Sequence, residues 1–373
     1  MPESNLQRAD VEAVLAEFMD PETGRSITQL EQVHHLQLES GRVSMTLGLS
    51  SYSAPIWEET RERLAALLRE KLPGLSDVQI EISEHERPPV KLGQVGLTAK
   101  SVIVVGSGKG GVGKSTIAAS LALGMQRAGC KVGLMDADVY GPSIPHLLGA
   151  SGRPEVHEKE IGSDETGNPV VSRRITPIDV AGLKVMSIGF LVPADKAVIW
   201  RGPMLHGSIT SFLRDTEWGP LDYLVIDMPP GTGDIALTLS QTLPPTGAVI
   251  VCTPQDVALL DAVKAIRMFQ EVRIPVLGVV ENMSYFLCPD NGKRYNIFGN
   301  GGAKKKAEEL EIPFLGEIPI NMQMRINGDE GKTKANFDVP EVSPPLEQLC
   351  KKLVAQLASK HQEKPPLPSL SVL

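Results

Sequence analysis

Aromatic side chains make up only 4% of this 373-residue chain, so its cores must be packed with aliphatic residues. Cysteine is sparse as well. Cys130, Cys252, Cys288 and Cys350 stand far apart, and no CxxC pair occurs. A disulfide framework is therefore not expected. Positive charge is not in excess: the formal net charge is −8. That argues against a chain whose main task is coating DNA or an anionic membrane. No apolar run approaches the roughly 20 residues that span a bilayer. The opening stretch MPESNLQRADVEAV has no basic segment followed by an apolar one, so no secretory signal is expected. These absences lead to the expectation of a cytoplasmic protein with reduced thiols, whose partners are neither membrane nor nucleic acid.

What is present is ordinary in bulk and specific in detail. Apolar residues reach 42% and charged residues 22%, values usual for a globular protein, and the length allows two or three domains. In DVEAVLAEF, Val11, Val14, Leu15 and Phe18 keep helical spacing. HHLQLES and RVSMTLGLS flank a Ser-Gly turn, which predicts a hairpin. An amphipathic helix follows in IWEETRERLAALLREK, stopped by Pro73-Gly74, and DVQIEIS closes the unit as a strand. Residues 1–83 are thus expected to form a small α-β-β-α-β domain, and 84–97, with its prolines and glycines, a linker. From 98 to 343 short, continuously apolar runs (SVIVVG, KVGLMDAD, LDYLVIDMP, GAVIVCTP, IPVLGVVEN, IPFLGEIP) alternate with helical segments. That pattern predicts an α/β domain with a parallel sheet covered by helices on both faces. A polar insert with a hairpin at ITPIDV-AG-LKVMSI interrupts it at 151–187. Residues 344–373 are expected to be a last helix and a loose tail.

The stretch GSGKGGVGKST, 106–116, lies after a strand and before a helix, and GKGGVGKS fits the phosphate-loop pattern G-x-x-x-x-G-K-[ST]. A polyphosphate is bound by backbone N–H groups converging from such a loop and from a helix N-terminus. Side chains at Gly108, Gly110, Gly111 or Gly113 would block that approach, and Val112 completes the cradle. Lys114 is expected to reach the β and γ oxygens, Ser115 to ligate Mg²⁺, and Thr116 to hold the base end or the α-phosphate. The expected fold is therefore of the P-loop NTPase type, with ATP as ligand.

Carboxylates stand where an α/β sheet keeps its site, at strand ends. Asp136 and Asp138 in LMDADVYGPS share one face; one can hold a metal's water shell and the other orient an attacking water. Asp227 ends the apolar run LVID, and Gly231 and Gly233 leave the following loop free to approach a γ-phosphate and to move. Asn282 follows the strand of VVENMSYF; an amide there suits an adenine edge or simply a turn.

KGGVGK resembles the deviant Walker A loop of the ATPases that include nitrogenase iron protein, MinD, ParA and the Mrp/ApbC proteins. The resemblance implies that Lys109 crosses a dimer interface to the partner's γ-phosphate. It also implies that Asp138 orients water, that Asp136 and Asp227 lie near Mg²⁺, and that Asn282 and Pro319 hold the base. Four further stretches resemble the Mrp/ApbC iron–sulfur cluster carriers specifically: DADVYGPSIPHLLG, WRGPM, LDYLVIDMPPGTGD, and ENMSYFLCP followed by FGNGGA. The first unit, with DPETGRSI and MTLGLSS, resembles the small metal–sulfur cluster assembly domain often fused in front of them.

The sequence departs from that pattern in its thiols. The family's CxxC after ENMSYF reads here Cys288-Pro289-Asp290-Asn291, so two protomers offer two thiolates for a bridging iron–sulfur cluster rather than four. Asp290 is an oxygen donor, which suits such a cluster poorly. In the front domain SSYSAPIWEE carries Ser51, Ser53 and Ala54 where the family has a reactive cysteine. The resemblance implies a homodimeric, slow, Mg²⁺-dependent ATPase that passes clusters to apoproteins or works with assembly factors. The alternative is a cluster-free scaffold ATPase whose nucleotide-switched dimer binds protein partners.

Overall fold

A computed structural model of the chain describes residues 6–163, 168–191, 202–231 and 233–363. The start of WRGPM, Thr232 and the tail beyond residue 363 lie outside the described residues. The chain divides into two compact units: Met1–Pro88 with Ala128–Cys130 and Lys351–Leu373, and Pro89–Arg127 with Lys131–Cys350.

In the first unit α1 (Arg8–Glu17) leads to β1 (Val33–Glu39) and β2 (Arg42–Leu49), then a 3-10 turn (Ser51–Ile56), α2 (Trp57–Lys71) and β3 (Asp77–Glu84). This is the α-β-β-α-β order expected. β2 pairs antiparallel with β1 and parallel with β3. The hairpin turns at Ser40 and Gly41, with φ of 48° and 78°, the left-handed pair that matches strand twist. Val43, Met45 and Leu47 alternate inward onto Val11, Leu15, Leu64 and Leu68, and an aliphatic core results.

The second unit begins with β4 (Lys91–Leu92) and β5 (Leu97–Gly106), α3 (Lys114–Arg127), β6 (Val132–Asp136) and the short α4 (Ile144–Leu147). It continues with β7 (Val156–Ser163), β8 (Pro169–Ile175), β9 (Ile178–Val180), β10 (Leu183–Ser187), α5 (Gly202–Asp215), β11 (Leu221–Asp227), α6 (Gly233–Thr242), β12 (Gly247–Cys252) and α7 (Asp256–Glu271). β13 (Val276–Glu281), β14 (Phe286–Leu287), β15 (Arg294–Tyr295), α8 (Gly302–Glu309), β16 (Phe314–Glu317) and α9 (Met322–Asp329) follow, and α10 (Ser343–Glu363) begins in this unit and continues into the segment from Lys351 that belongs to the first.

The central sheet has the order β16-β13-β12-β5-β11-β6-β10-β9, with β4 beside β5. Every residue of β6, β11 and β12 is buried, as continuous apolar runs require of strands covered on both faces. The sheet is not wholly parallel: β9 and β4 run antiparallel to β10 and β5. The expected hairpin at Ala181-Gly182 supplies the first of these, turning with φ of 52° and 90°. Within residues 84–97, Glu84 ends β3 and Lys91–Leu92 pair with β5. The polar insert contains an antiparallel ribbon, β7–β8, that its sequence did not announce.

Candidate functional site

The end of β5 delivers the chain to the head of α3 through residues 107–113. Two glycines are demanded by space. A Cβ at Gly108 would lie 2.1 Å from the carbonyl oxygen of Asp261 on α7, and one at Gly113 would lie 2.2 Å from Asn282 Nδ2. Gly113 also has φ of 80°. Ser107 Oγ donates to the Lys109 carbonyl at 2.9 Å, and Gly231 N donates to the Ser107 carbonyl at 3.0 Å. The second glycine-bearing loop is thereby held against the first. Val112 is buried, while Gly110 and Gly111 are exposed and Ser115 and Thr116 half-buried.

Lys114, the first residue of α3, is 6% exposed. Its ammonium donates to Asp227 Oδ1 at 2.5 Å and to Ser115 Oγ at 3.1 Å, and stands 3.7 Å from Asp138 Oδ2. Parallel register explains the convergence: Asp136 and Asp227 are paired residues at the ends of β6 and β11. Burial, the largest influence, pushes Asp227 above the ordinary carboxylate range, and Lys114 opposes it. Its Oδ2 is buried with no hydrogen-bond partner. Burial and the Asp227 charge push Asp136 up to about 7.

The two neighbouring carboxylates differ in what they have left to give. Asp136 accepts from Asp138 N, Ile144 N and Ser187 Oγ, so both its oxygens are engaged. Among the described residues Asp138 accepts only from Gly141 N, at 3.2 Å, besides facing Lys114. Ser115 Oγ and the partnerless Asp227 Oδ2 are oxygen donors side by side, the ligand class a hard divalent cation takes, and they fit Mg²⁺. Among the described residues no set of three His, Cys, Asp or Glu side chains is poised around a metal position.

Lys109 is half-buried and has no ion pair among the described residues. Asn282 lies just past β13, 5% exposed, and its Nδ2 donates to the Val112 carbonyl at 2.9 Å. The amide expected at a base edge is thus fastened to the phosphate loop, and its Oδ1 accepts no hydrogen bond among the described residues. Pro319 is buried just past β16. Sequence reading passed over Glu281, fully buried at the end of β13. It accepts from Ser284 Oγ at 2.6 Å and from Ala303 N at 2.8 Å, tying the loop after β13 to the head of α8. A carboxylate closing an apolar strand was the available signal, the same one that marks Asp227.

Cys288 is not among the phosphate-site residues. It follows β14 on the small β14–β15 hairpin, half-exposed, where its N–H donates to the Lys293 carbonyl at 3.0 Å. It borders a cavity of about 420 Å³ lined also by Phe286, Met322, Ile326 and Val339. Asn291 Oδ1 accepts from Lys293 N, and Asp290 is exposed. Cys130, Cys252 and Cys350 are buried. In the first unit Arg87 pairs with Asp20 at 3.0 Å and Glu22 at 2.9 Å, Ser50 Oγ donates to Glu22, and Ser50, Ser51 and Ser53 are all buried.

The family described as NUBPL iron-transfer P-loop NTPase matches residues 98–357, and that described as iron–sulfur cluster assembly protein matches residues 8–82. The iron–sulfur cluster carrier protein of Deinococcus radiodurans is 45% identical over 317 residues, covering 85% of this chain and 86% of the relative. The carrier of Escherichia coli K12 is 41% identical over 353 residues, covering 94% and 92%. Among solved structures, the nucleotide-binding protein of Archaeoglobus fulgidus in complex with ADP superposes with a TM-score of 0.54 at 42% identity, over 65% of this chain and 90% of that one. No helix among the described residues is long and apolar enough to cross a membrane. On the family match and on both relatives, this chain belongs to the NUBPL iron-transfer P-loop NTPase family.

Proposed function

We propose that the chain is a slow, Mg²⁺-dependent ATPase that works as a homodimer in a reducing cytoplasm and passes iron–sulfur clusters to apoproteins or assembly factors. The observation that carries the nucleotide half is the buried, partnerless Asp227 Oδ2 beside Lys114 and Ser115 at the head of α3. Gly108 to Thr116 wrap the triphosphate with backbone N–H groups, and Lys114 exchanges its carboxylate partners for the β and γ oxygens. Ser115 and Asp227 would hold Mg²⁺, which when bound neutralises phosphate charge. Asp138, with one oxygen still uncommitted to backbone, holds the attacking water in line and takes its proton. Asp136 braces the loop that carries Asp138 and would lie near Mg²⁺ by way of the metal's water shell. Gly231 follows the γ-phosphate. Lys109, with no ion pair among the described residues, serves the partner subunit's nucleotide and stabilises charge developing on the γ-phosphoryl group. Pro319 packs on the purine, and Asn282 retains Oδ1 as an acceptor for the adenine amino group.

The cargo half is supported by the names of the relatives and by Cys288, the one cysteine that is not buried. Two protomers supply two thiolates, so a cluster would be held weakly and completed by ligands from the recipient or donor, a condition that favours handing it on. The test is anaerobic reconstitution with iron and sulfide, with visible spectra and iron per dimer recorded for wild type and Cys288→Ala. A sulfur-to-iron band that disappears in the variant supports carriage. No bound iron in either protein would favour the scaffold reading, which the replacement of the second family cysteine by Asn291 otherwise recommends.

A further inference from the structure

We propose that Asn282 is a positioning residue that couples the phosphate loop to the Cys288 hairpin, so that phosphate binding alters the accessibility of the Cys288 thiol. The functional meaning of that coupling rests on Cys288 being the cargo thiol; the coupling itself does not.

The argument starts from one peptide unit. The Val112 carbonyl and the Gly113 N–H belong to the same planar group, so neither turns without the other. The Gly113 N–H is one of the donors a phosphate draws on, and the Val112 carbonyl accepts from Asn282 Nδ2 at 2.9 Å. Reorienting that peptide toward a phosphate therefore displaces or breaks the Asn282 hydrogen bond. The contact has no slack: a Cβ at Gly113 would sit 2.2 Å from Asn282 Nδ2 and 3.7 Å from Met283 Cε. Asn282 is also fixed from behind, its N–H donating to the Cys252 carbonyl at 2.8 Å.

The next residue is under strain. Met283 has φ of 54°, a left-handed conformation uncommon for a long side chain and tolerated where surroundings enforce it. From there to Cys288 the chain is short and fastened at almost every step. Ser284 is fully buried, its N–H donating to the Ile318 carbonyl at 3.0 Å. The Tyr285 carbonyl accepts from Ile320 N at 2.6 Å, and Arg294 lies over the Tyr285 ring at 4.0 Å while pairing with Glu317 at 2.9 Å. The hairpin itself has just two residue pairs, Phe286 with Tyr295 and Leu287 with Arg294. A strained turn joined to a small hairpin can take up a second arrangement when its anchor moves. Five residues separate the anchor from the thiol.

The experiment uses Cys288 as its own probe, since the other three cysteines are buried. The rate of Cys288 alkylation by N-ethylmaleimide is measured on the full chain, with and without ADP and Mg²⁺, alongside nucleotide affinity by calorimetry. Wild type should show about a fivefold or larger change in rate on nucleotide binding, the lower range of ordinary coupling. Asn282→Ala that still binds ADP should bring the ratio close to one. If that variant no longer binds, Met283→Gly decides, because it keeps the amide and relaxes the turn; its ratio should also collapse. The proposal is overturned if wild type shows no change, or if a binding-competent Asn282→Ala or Met283→Gly keeps the full response. Failure of iron reconstitution with an intact alkylation response would remove the cargo reading and leave the coupling standing.

Discussion

Replacing Lys114 by Met isolates the electrostatics on which the site depends. The ammonium lies 2.5 Å from Asp227 Oδ1, and the two residues are 6% and 0% exposed. Removing it leaves a carboxylate in the interior with no cation beside it, a change that costs about 3–5 kcal/mol when the acid stays ionised. Burial already pushes Asp227 above its ordinary 3.8, and without Lys114 nothing comparable opposes it. The folded protein then holds a proton that the unfolded chain releases near pH 4. Its stability is therefore greatest at low pH and falls as pH rises through the window between 3.8 and the raised folded value, by up to about 1.4 kcal/mol per pH unit. Hydrogen exchange of the β11 amides reads the stability of this unit alone. In nucleotide-free protein, Lys114→Met should lose about 3 kcal/mol or more relative to wild type at pH 8 and much less at pH 5. Adding Asp227→Asn should recover most of the loss at pH 8. Equal losses at both pH values, or a double variant no more stable than the single one, would refute the reasoning.

Lys109→Ala should depress ATP turnover while single-protomer nucleotide affinity, read by calorimetry, remains measurable; unchanged turnover would remove the role in trans. Gly113→Ala must place a methyl group 2.2 Å from Asn282 Nδ2 at φ of 80°, and should cost about 1–3 kcal/mol in thermal unfolding together with most of the affinity for ADP. Native protein should show a single maleimide-reactive thiol up to pH 9 and four after unfolding. Burial pushes Cys252 and Cys350 up to about 12, so raising the pH in that range should not recruit them.

What could be read from the sequence was local. The phosphate loop declares itself because its chemistry needs a strand, bare backbone, a lysine, a hydroxyl and a helix in immediate succession, and β5 and α3 supply that order. The two-residue turns at Ser40-Gly41 and Ala181-Gly182 were legible for the same reason. Contacts between distant positions were not. Nothing in ENMSYF says that Asn282 will bond to Val112, 170 positions away, because the bond follows from β13 and β5 flanking β12 in one sheet. Nor does GKGG say that Gly108 must be bare to let α7 pass, as well as to admit phosphate. The β7–β8 ribbon escaped notice because HEKE alternates no apolar face; Val156 and Val171 are both exposed.

Three acids, Asp136, Asp227 and Glu281, end strands of the central sheet and are all fully buried. Position alone would give them the same role, and their hydrogen bonds separate them. Asp136 receives two backbone N–H groups and a hydroxyl; Glu281 receives a hydroxyl and one backbone N–H at the head of α8. Each thereby fixes the loop that follows it, which is how the carboxyl-end edge of the sheet holds the segments bearing Asp138 and Asn282. Asp227 receives no backbone N–H among the described residues: Lys114 donates to Oδ1, the Ser115 hydroxyl lies beside the carboxylate, and Oδ2 has no partner of hydrogen-bond geometry. A buried oxygen without a donor is costly, and a fold that needed Asp227 only as a brace could satisfy it as it satisfies the other two. The unmet hydrogen-bonding capacity thus singles out the acid whose partner arrives from outside the chain. The corresponding substitutions should separate accordingly: Asp227→Asn should mainly remove Mg²⁺-dependent nucleotide affinity, measured by calorimetry with and without the cation. Glu281→Gln should spare that dependence and instead loosen α8, measured by hydrogen exchange at Ala303.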